Sequence, residues 1–174
     1  MTASVELRNV DEGNLERLLV VAVADADPEE VMPPVAGPPG WTTGRQEAFR
    51  AWHRARRPGL DGPLGERTFA IVCEGEIVGS ARLAARATGQ VLETGMWLAR
   101  SHRGQGLGTA TLRQLLDAAA ETGAHSVVAD TKTHNAAALS ALRRNGATLR
   151  PGEGSSDDVH AELMPHQVRP PQGT

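Results

Sequence analysis

The sequence predicts a mixed α/β (α+β) fold, with one central, mostly antiparallel, twisted sheet of about six to seven strands and about four flanking helices. Short apolar runs that alternate with polar residues predict the strands, and two of them are joined by a glycine-containing turn typical of a β-hairpin. Longer runs with apolar residues at helical spacing predict the helices. The 174 residues suffice for one domain, which we expect over residues 1–164, followed by a Pro-rich disordered tail at 165–174.

The N-terminal third is predicted to contain a strand, a helix, a long loop and a second helix. Val5–Val10 alternates as a half-buried strand does, and Asp11 is suited to cap the helix that follows. Asp25–Trp41 contains five prolines and two glycines, which predicts a loop. The second helix is expected from about Thr43 to Arg57. The first helix carries Leu15, Leu18, Leu19 and Ala22 on one face, and the second brings together Phe49, Trp52 and His53.

The rest of the chain begins with three runs, RTFAIV, IVGSARLAA and VLETGMWLA, which we expect to pair as antiparallel strands. A glycine-rich turn then leads into a helix, and HSVVADTK predicts a buried strand after it. A helix from about Asn135 to Asn145 is expected to end at Gly146 in the C′ position. A weak strand at Thr148–Arg150 and the strand VHAELM form the final hairpin. The helix after the turn carries Leu112, Leu115, Leu116 and Ala119 at helical spacing.

Composition argues against several classes of protein. The net charge of −3 gives no basic surface for nucleic acid, so no nucleic-acid partner is expected. With a single cysteine, Cys73, the chain has neither an intramolecular disulfide nor paired cysteine ligands, so we predict no metal site and a reducing, cytoplasmic location. The N-terminus MTASVELRNV does not resemble a signal peptide, and no apolar run has membrane-spanning length, so no membrane association is expected.

The stretch HRGQGLGTATLRQLL, residues 102–116, has the features of an anion-binding turn. Arg103, Gly106 and Gly108 fit the pattern R-x-x-G-x-G at a helix start, where exposed amides and the positive helix end can bind a phosphate group. The dinucleotide-binding pattern G-x-G-x-x-G fails because Thr111 occupies the third glycine position. The phosphate loop of nucleoside triphosphatases fails for want of a Gly-Lys pair. A turn whose glycines only permit tight geometry is the alternative.

Two stretches, ETGMWLARSHRGQGLGTATL and ADTKTHNAAALSALRRNGA, resemble the acetyl-CoA-binding core of the GNAT family of N-acetyltransferases. The order of predicted elements over nearly the whole chain is also that of the family. The resemblance implies acetyl-CoA (coenzyme A) as cofactor, with its pantetheine arm paired to the backbone around Leu98 and with Asn135 near its thiol end. Dimers are common in the family, so a homodimer is compatible with it. The residues implied to hold the pyrophosphate are Gly104, Gln105, Gly106, Gly108 and Thr109, with Arg103 at the same turn.

Acetyl transfer to an ordinary amine requires a base, because an amine with a pKa of about 10.4 is protonated at pH 7. The resemblance implies that Glu93, on the strand before the glycine turn, acts as this base or orients a water molecule that does. Many family members protonate the departing thiolate with a tyrosine. This chain has no tyrosine, and the corresponding position is Leu142. We therefore expect Ser140, His134 or a water molecule to supply the proton.

The acceptor site is expected in the segment 25–57, since members of the family build it from the helices after the first strand. Carboxylates beside an aromatic side chain there suit a polyamine or an amino sugar. Asp130, at the end of its strand, could hold a cationic substrate from the other side. GPPGWT and the residues after it also resemble bacterial aminoglycoside N-acetyltransferases of the kasugamycin-inactivating type. The predicted substrate-binding residues are Asp25, Glu29, Trp41 and Asp130.

The leading hypothesis from sequence is an N-acetyltransferase that transfers an acetyl group directly, in a ternary complex, to a primary amine of a small molecule such as an aminoglycoside antibiotic. One alternative is a protein N-terminal acetyltransferase of the ribosomal-protein type. Another is a non-catalytic acyl-CoA-binding module, which the missing tyrosine favours. A short acidic pocket would favour the amino sugar, and an open groove would favour the peptide.

Overall fold

The computed structural model of the protein describes residues 4–87 and 89–166. Its strands are β1 (Val5–Asn9), β2 (Glu66–Cys73), β3 (Glu76–Ala85), β4 (Val91–Leu98), β5 (Ser126–Lys132), β6 (Thr148–Pro151) and β7 (Asp158–Leu163). Its helices are α1 (Glu12–Asp25), α2 (Pro28–Val31), α3 (Thr43–Ala55), α4 (Leu107–Glu121) and α5 (Ala136–Arg144), with a short 3-10 helix at Arg100–His102. Among the described residues, no helix is long and apolar enough to cross a membrane.

All seven strands form one sheet in the order β1-β2-β3-β4-β5-β7-β6. Neighbouring strands are antiparallel except for β4 and β5, which are parallel. The predicted mixed α/β fold with one central sheet is confirmed. α1 also begins where the sequence predicts, because Asp11 and Asn14 each accept the other's backbone N–H at 2.9 Å and so form a capping box.

The predicted loop at Asp25–Trp41 is wrong in part. α1 extends through Asp25, and Pro28–Val31 forms the single helical turn α2. Proline favours the first turn of a helix, where its missing N–H is not needed, and Asp27 with Glu30 completes a capping box around it. The buried side chain of Arg45 holds the loop that follows, because its guanidinium donates hydrogen bonds to the carbonyl oxygens of Val35, Gly37, Pro38 and Gly40.

The two faces of the sheet carry separate apolar cores. In β2, Phe69 and Ile71 belong to a core shared with α4 and α5, whereas Ala70 and Val72 belong to a core shared with α1, α2 and α3, as the alternation of a strand requires. The second core draws on β2 and β3. Further along the same face, β4, β5 and β7 carry the polar side chains Glu93, Asp130 and His160. Buried residues of the first core include Leu83, Leu92, Leu107, Leu112, Leu115, Leu116, Val127 and Leu142.

β4 and β5 separate partway along their length. β4 pairs with β3 from Leu92 to Leu98, but it pairs with β5 only at Val91, Leu92 and Glu93. In the described part of the chain, the β5 side of residues 94–98 therefore has no strand partner. Backbone N–H and C=O groups on such an edge are available to a ligand. We call the gap between residues 94–98 and the C-terminal half of β5 the split.

The described chain ends at His166, whose Nδ1 lies 2.6 Å from Asp117 Oδ1 on α4. The second residue of the predicted tail is therefore in contact with a helix. Residues 167–174, the remainder of that tail, lie outside the described residues.

Candidate active site

The glycine-rich turn presents bare backbone at the start of α4. Gly104 and Gly106 have φ angles of +75° and +79°, a region that glycine adopts without strain. Gly106 is the N-cap of α4, and no side chain in the described part of the chain caps the helix, so the first N–H groups of α4 have no capping partner there. A Cβ built on either glycine would meet no atom of residues 4–87 or 89–166 within 4 Å, so these residues leave the space in front of the turn open. This geometry fits a phosphate group.

The first turn of α4 is fixed against the sheet and α5. A Cβ added to Gly108 would lie 4.0 Å from Leu98 Cδ1 and equally far from a side chain of α5, so the helix start packs closely beside the end of β4. The carbonyl oxygen of Thr109 accepts a hydrogen bond from Asn145 Nδ2 at 3.1 Å. These contacts hold the turn at the open end of the split.

The polar side chains of the turn are bound to protein atoms. Gln105 Nε2 donates to the carbonyl oxygen of Ser101 at 3.0 Å. Arg103 Nε donates to the carbonyl oxygen of Leu98 at 3.0 Å, and its terminal nitrogen lies 3.3 Å from Glu30 Oε1. Arg103 is therefore beside the turn, as the sequence predicts, with its guanidinium placed between the end of β4 and α2.

Acidic side chains at the end of α1 and in α2 bind the 3-10 helix. Asp25 Oδ2 accepts the backbone N–H of Ser101 at 2.9 Å and also its hydroxyl, and these bonds lower the pKa of Asp25. Asp27 lies 2.6 Å from the guanidinium of Arg100, which Glu30 approaches at 3.5 Å. The predicted substrate contact of Asp25 is thus replaced by a structural role, because its carboxylate holds the segment that leads into the glycine turn.

The two other residues predicted to bind the acceptor from this segment differ in their surroundings. Trp41 Nε1 donates to the carbonyl oxygen of Ala26 at 2.9 Å, and its ring packs edge-on against Phe49 with ring centres 5.9 Å apart. Trp41 therefore anchors the loop to the second core instead of standing free for a substrate. Glu29 is exposed and forms no ion pair within the described ranges.

Glu93 lies at the closed end of the split, and two arginines hold its carboxylate. Arg82 Nη2 lies 2.6 Å from Oε1, and Arg86 Nη2 lies 2.6 Å from Oε2. Arg82 also contacts Glu66 at 3.2 Å and crosses β4 at Gly95, where an added Cβ would lie 3.3 Å from Arg82 Nε. Since both oxygens are bound to guanidinium groups, the geometry does not support Glu93 as a free base. Its other predicted role, to orient a water molecule that acts as the base, stays a prediction.

Asp130 lies on β5 beside the split, and its partner is a histidine that the sequence analysis missed. His160 on β7 stands opposite Asp130 in the strand register, with Nδ1 2.7 Å from Asp130 Oδ1. Arg86 approaches the other oxygen of Asp130 at 3.8 Å. The alternation of VHAELM could have placed His160 on the face opposite Ala161, but it could not show which strand lies beside β7.

Asn135 and Ser140, the two residues predicted to lie near the thiol of the cofactor, occupy different positions on α5. Asn135 is the N-cap of α5, and its Oδ1 accepts the backbone N–H of Ala138 at 3.1 Å. Ser140 is exposed, whereas Leu139 and Leu142 are buried beneath it. Ser140 is therefore turned to solvent, and its role as proton donor stays a prediction. Leu142, at the position of the usual tyrosine, is part of the apolar core.

A search with protein-family models finds the acetyltransferase (GNAT) domain over residues 4–148. The chain belongs to the GNAT family of acetyltransferases. This GNAT protein is an N-acetyltransferase that uses acetyl-CoA, which supplies the acetyl group as a thioester. The open glycine turn and the unpartnered edge of β4 fit such a cofactor, because they offer backbone N–H and C=O groups to its pyrophosphate and its amide-containing arm.

Solved structures share the fold. RimL, a ribosomal alpha-N-protein acetyltransferase in complex with coenzyme A, is 22% identical, with a TM-score of 0.70 and coverage of 92% of this chain and 94% of that one. RimJ of Mycobacterium smegmatis is also 22% identical, with a TM-score of 0.70 and coverage of 92% and 81%. A spermidine/spermine N-acetyltransferase, SpeG of Vibrio cholerae, is 16% identical, with a TM-score of 0.65 and coverage of 92% and 94%. No curated protein sequence matches the chain.

Proposed function

We propose that this GNAT protein acetylates the α-amine at the N-terminus of a protein or peptide. The observation that carries the proposal is the pairing of carboxylates with cations around the split. Asp27 and Glu30 bind arginines beside the glycine turn, and Glu93 is bound by Arg82 and Arg86 at the closed end. A substrate with several ammonium groups would have to displace these arginines before it could bind the carboxylates.

The arginines themselves favour an acceptor of low positive charge. Arg82 and Arg86 lie on the face of the sheet that the acceptor would approach, and about half of the Arg86 side chain is exposed, at 49%. The guanidinium groups around Glu66, Glu93 and Asp130 match these carboxylates one for one, so this face presents little net negative charge to attract a polyamine or an aminoglycoside. The carbonyl oxygens of a peptide would also give these donors acceptors to bind.

The acid-base demands of an α-amine suit this site. An α-amine has a pKa of about 7.7 to 8.0, so on the order of a tenth of it is neutral at pH 7, whereas a lysine-type amine with a pKa of about 10.4 is neutral in fewer than a thousandth of molecules. Glu93 is bound by arginines and Leu142 replaces the usual tyrosine, so neither of these two positions supplies a free group for proton transfer. An α-amine requires the least assistance.

The relatives support opposite choices, and the charges around the split favour the protein N-terminus. Likeness to RimL and RimJ is in line with a protein N-terminus, while likeness to SpeG is in line with a polyamine. The amino-sugar hypothesis depended on an acidic pocket around Asp25, Glu29 and Trp41. Asp25 and Trp41 are engaged with protein atoms, which leaves Glu29 as the exposed carboxylate of that set.

The cofactor is proposed to occupy the glycine turn and the split. Backbone N–H groups of residues 104–109 would bind the pyrophosphate, with Arg103 able to add a guanidinium from the side. The free edge of residues 94–98 would pair with the pantetheine arm. Asn135, at the start of α5, would lie beyond the end of β5 on the thiol side.

The test is a comparison of acceptors with acetyl-CoA at pH 7.5. The acceptors are a lysine-free peptide with a free α-amine, the same peptide blocked at the α-amine and carrying one lysine, spermidine and an aminoglycoside. The proposal predicts a kcat/KM at least about 10-fold higher for the first peptide. Turnover of spermidine or the aminoglycoside without turnover of that peptide would overturn it.

A pair of variants tests the charge argument itself. Arg86→Gln should shift the ratio of spermidine to peptide turnover towards spermidine, because it removes one of the two cations on the acceptor face. Arg113→Gln makes the same change of charge at an exposed position on α4 and should leave the ratio as it is. Equal ratios in both variants would contradict the argument.

A further inference from the structure

The face of the sheet beside the split carries an imidazole held by a carboxylate. His160 Nδ1 lies 2.7 Å from Asp130 Oδ1, and 34% of the His160 side chain is exposed. In the neutral tautomer that donates its Nδ1–H to the Asp130 carboxylate, Nε2 carries the lone pair. Within the described residues, no protein atom is bonded to Nε2. The ring is therefore oriented as an imidazole that acts as a base must be.

We propose that His160 is the base that removes a proton from the ammonium group of the acceptor, with Asp130 as the residue that orients it. The proposal rests on the proposed function of α-amine acetylation. Asp130 follows Val128, the last β5 residue paired with β4, by two positions, so its backbone forms one wall of the split. His160 lies one strand spacing away, about 4.8 Å.

Arg86 shows that Glu93 and Asp130 share one face of the sheet. The same Arg86 nitrogen, Nη2, lies 2.6 Å from Glu93 Oε2 and 3.8 Å from Asp130 Oδ2. Glu93 has no oxygen free of guanidinium groups, whereas His160 keeps an unbonded nitrogen on that face. His160 is therefore better placed than Glu93 to accept a proton.

One imidazole is sufficient to account for the protons of the reaction. A proton moves from the ammonium nitrogen to Nε2, Asp130 stabilises the imidazolium that forms, and solvent takes the proton from the exposed ring. The nitrogen lone pair then forms a bond to the acetyl carbon as the C–S bond breaks, and the second proton of the amine goes to the sulfur. The sum is R–NH3+ and acetyl-CoA on one side, and the amide, CoA–SH and H+ on the other.

Other charged groups around His160 are mostly engaged with one another. Lys132 of β5 binds Asp158 of β7, and Arg150 of β6, which is opposite His160 in register, lies 2.7 Å from Glu162 of β7. Arg86 reaches only the oxygen of Asp130 that His160 does not use. Asp130 is thus the carboxylate that holds the imidazole. The charged groups around His160 that can influence its titration are Asp130 and Lys132 from β5, Arg150 from β6, Asp158 and Glu162 from β7, and Arg86.

The experiment measures kcat and KM with the lysine-free peptide from pH 6 to 9 for the wild type, His160→Gln, Asp130→Asn and His166→Gln. His166 is the matched control, because its Nδ1 also contacts a carboxylate, Asp117 on α4, at 2.6 Å. Calorimetric binding of CoA is measured for each variant, and it reports folding and cofactor binding independently of turnover.

His160→Gln should lower kcat about 100-fold at pH 7, and the deficit should shrink to less than about 10-fold at pH 9, where the α-amine is neutral without help. Asp130→Asn should lower kcat at least about 10-fold, while CoA binding stays within about twofold of wild type in every variant. His166→Gln should match the wild type. A deficit in His160→Gln below about threefold at pH 7, or one that does not change with pH, overturns the proposal.

The same experiments distinguish an error in the proposed function from an error in the role proposed for His160. If the wild type acetylates spermidine or an aminoglycoside but not the peptide, α-amine acetylation is refuted, and the same variants with that amine decide the role of His160. If His160→Gln binds CoA poorly, imidazole added to His160→Ala replaces the lost ring, and absence of rescue overturns the proposal. If the wild type acetylates none of these amines, both proposals are overturned.

Discussion

His53 on α3 makes the stability of this protein depend on pH in a window that can be isolated. Its side chain is 1% exposed, and its Nδ1 lies 3.2 Å from Thr68 Oγ1 on β2, so it joins α3 to the sheet. Burial, together with the nearby positive charge of Arg56, lowers the pKa of His53 to about 3. The imidazole is therefore neutral in the folded protein under conditions where an unfolded chain protonates it.

The size of the effect follows from the two pKa values. Between about 6.5, the unfolded value, and about 3, the unfolded state binds a proton that the folded state does not, so stability falls as pH falls. At pH 5 the unfolded value is about 1.5 units above the pH, which corresponds to a loss of about 2 kcal/mol relative to pH 7. This loss of stability is absent only well above pH 6.5, and it is complete below about pH 3.

Acidic side chains act at lower pH and so leave this window clear. The lowered pKa values of Asp25 and Glu30 start from 3.8 and 4.5, so the stability that these carboxylates contribute is lost only as pH falls through lower values. Urea unfolding gives the free energy of unfolding at pH 7 and at pH 5, and the difference between the two pH values is compared for the wild type and His53→Gln. The matched control is His125→Gln, a change at an exposed histidine.

The wild type and His125→Gln should both lose about 2 kcal/mol between pH 7 and pH 5, and His53→Gln should lose markedly less. The reasoning would be refuted by an equal loss in His53→Gln, because the pH dependence would then come from other groups. A wild type that is more stable at pH 5 than at pH 7 would contradict the predicted direction of the pH dependence.

Two further predictions concern the glycine turn. Gly106→Ala and Gly123→Ala both put a side chain at a positive φ, at opposite ends of α4, so both should cost about 1 kcal/mol in urea unfolding, but only Gly106→Ala should weaken CoA binding, by at least about 10-fold in calorimetry. Equal CoA affinities in the two variants would contradict a pyrophosphate site at this turn. Asp25→Asn should weaken CoA binding about threefold to 10-fold, because the amide holds Ser101 less firmly than the carboxylate does, while the control Asp61→Asn should have no effect. An unchanged affinity for CoA in Asp25→Asn would show that the hydrogen bonds between Asp25 and Ser101 do not position the turn.

Local features of the fold could be predicted from the sequence because each depends on neighbouring residues. The spacing of Leu112, Leu115 and Leu116 predicts the buried face of α4, and the glycines before it predict an open turn. The prolines of residues 25–41 predict a loop and hide the short helix α2, because Pro28 is at the first turn of a helix, where proline is favoured.

The chemistry of the split could not be predicted because it depends on strand register. The resemblance implies that Glu93 is a base or orients a water molecule that is one, but its pairing with Arg82 and Arg86 follows from how β3 lies against β4. The contact between Asp130 and His160 joins strands separated by a helix and another strand in the sequence. Residue types alone do not specify such pairs.

The most direct test of this account is hydrogen exchange of the backbone amides with and without coenzyme A. If the split and the glycine turn together hold the cofactor, the amides of residues 94–98 and of residues 104–109 become protected together when coenzyme A is added. Protection of the turn without the β4 edge, or of neither segment, would contradict the account.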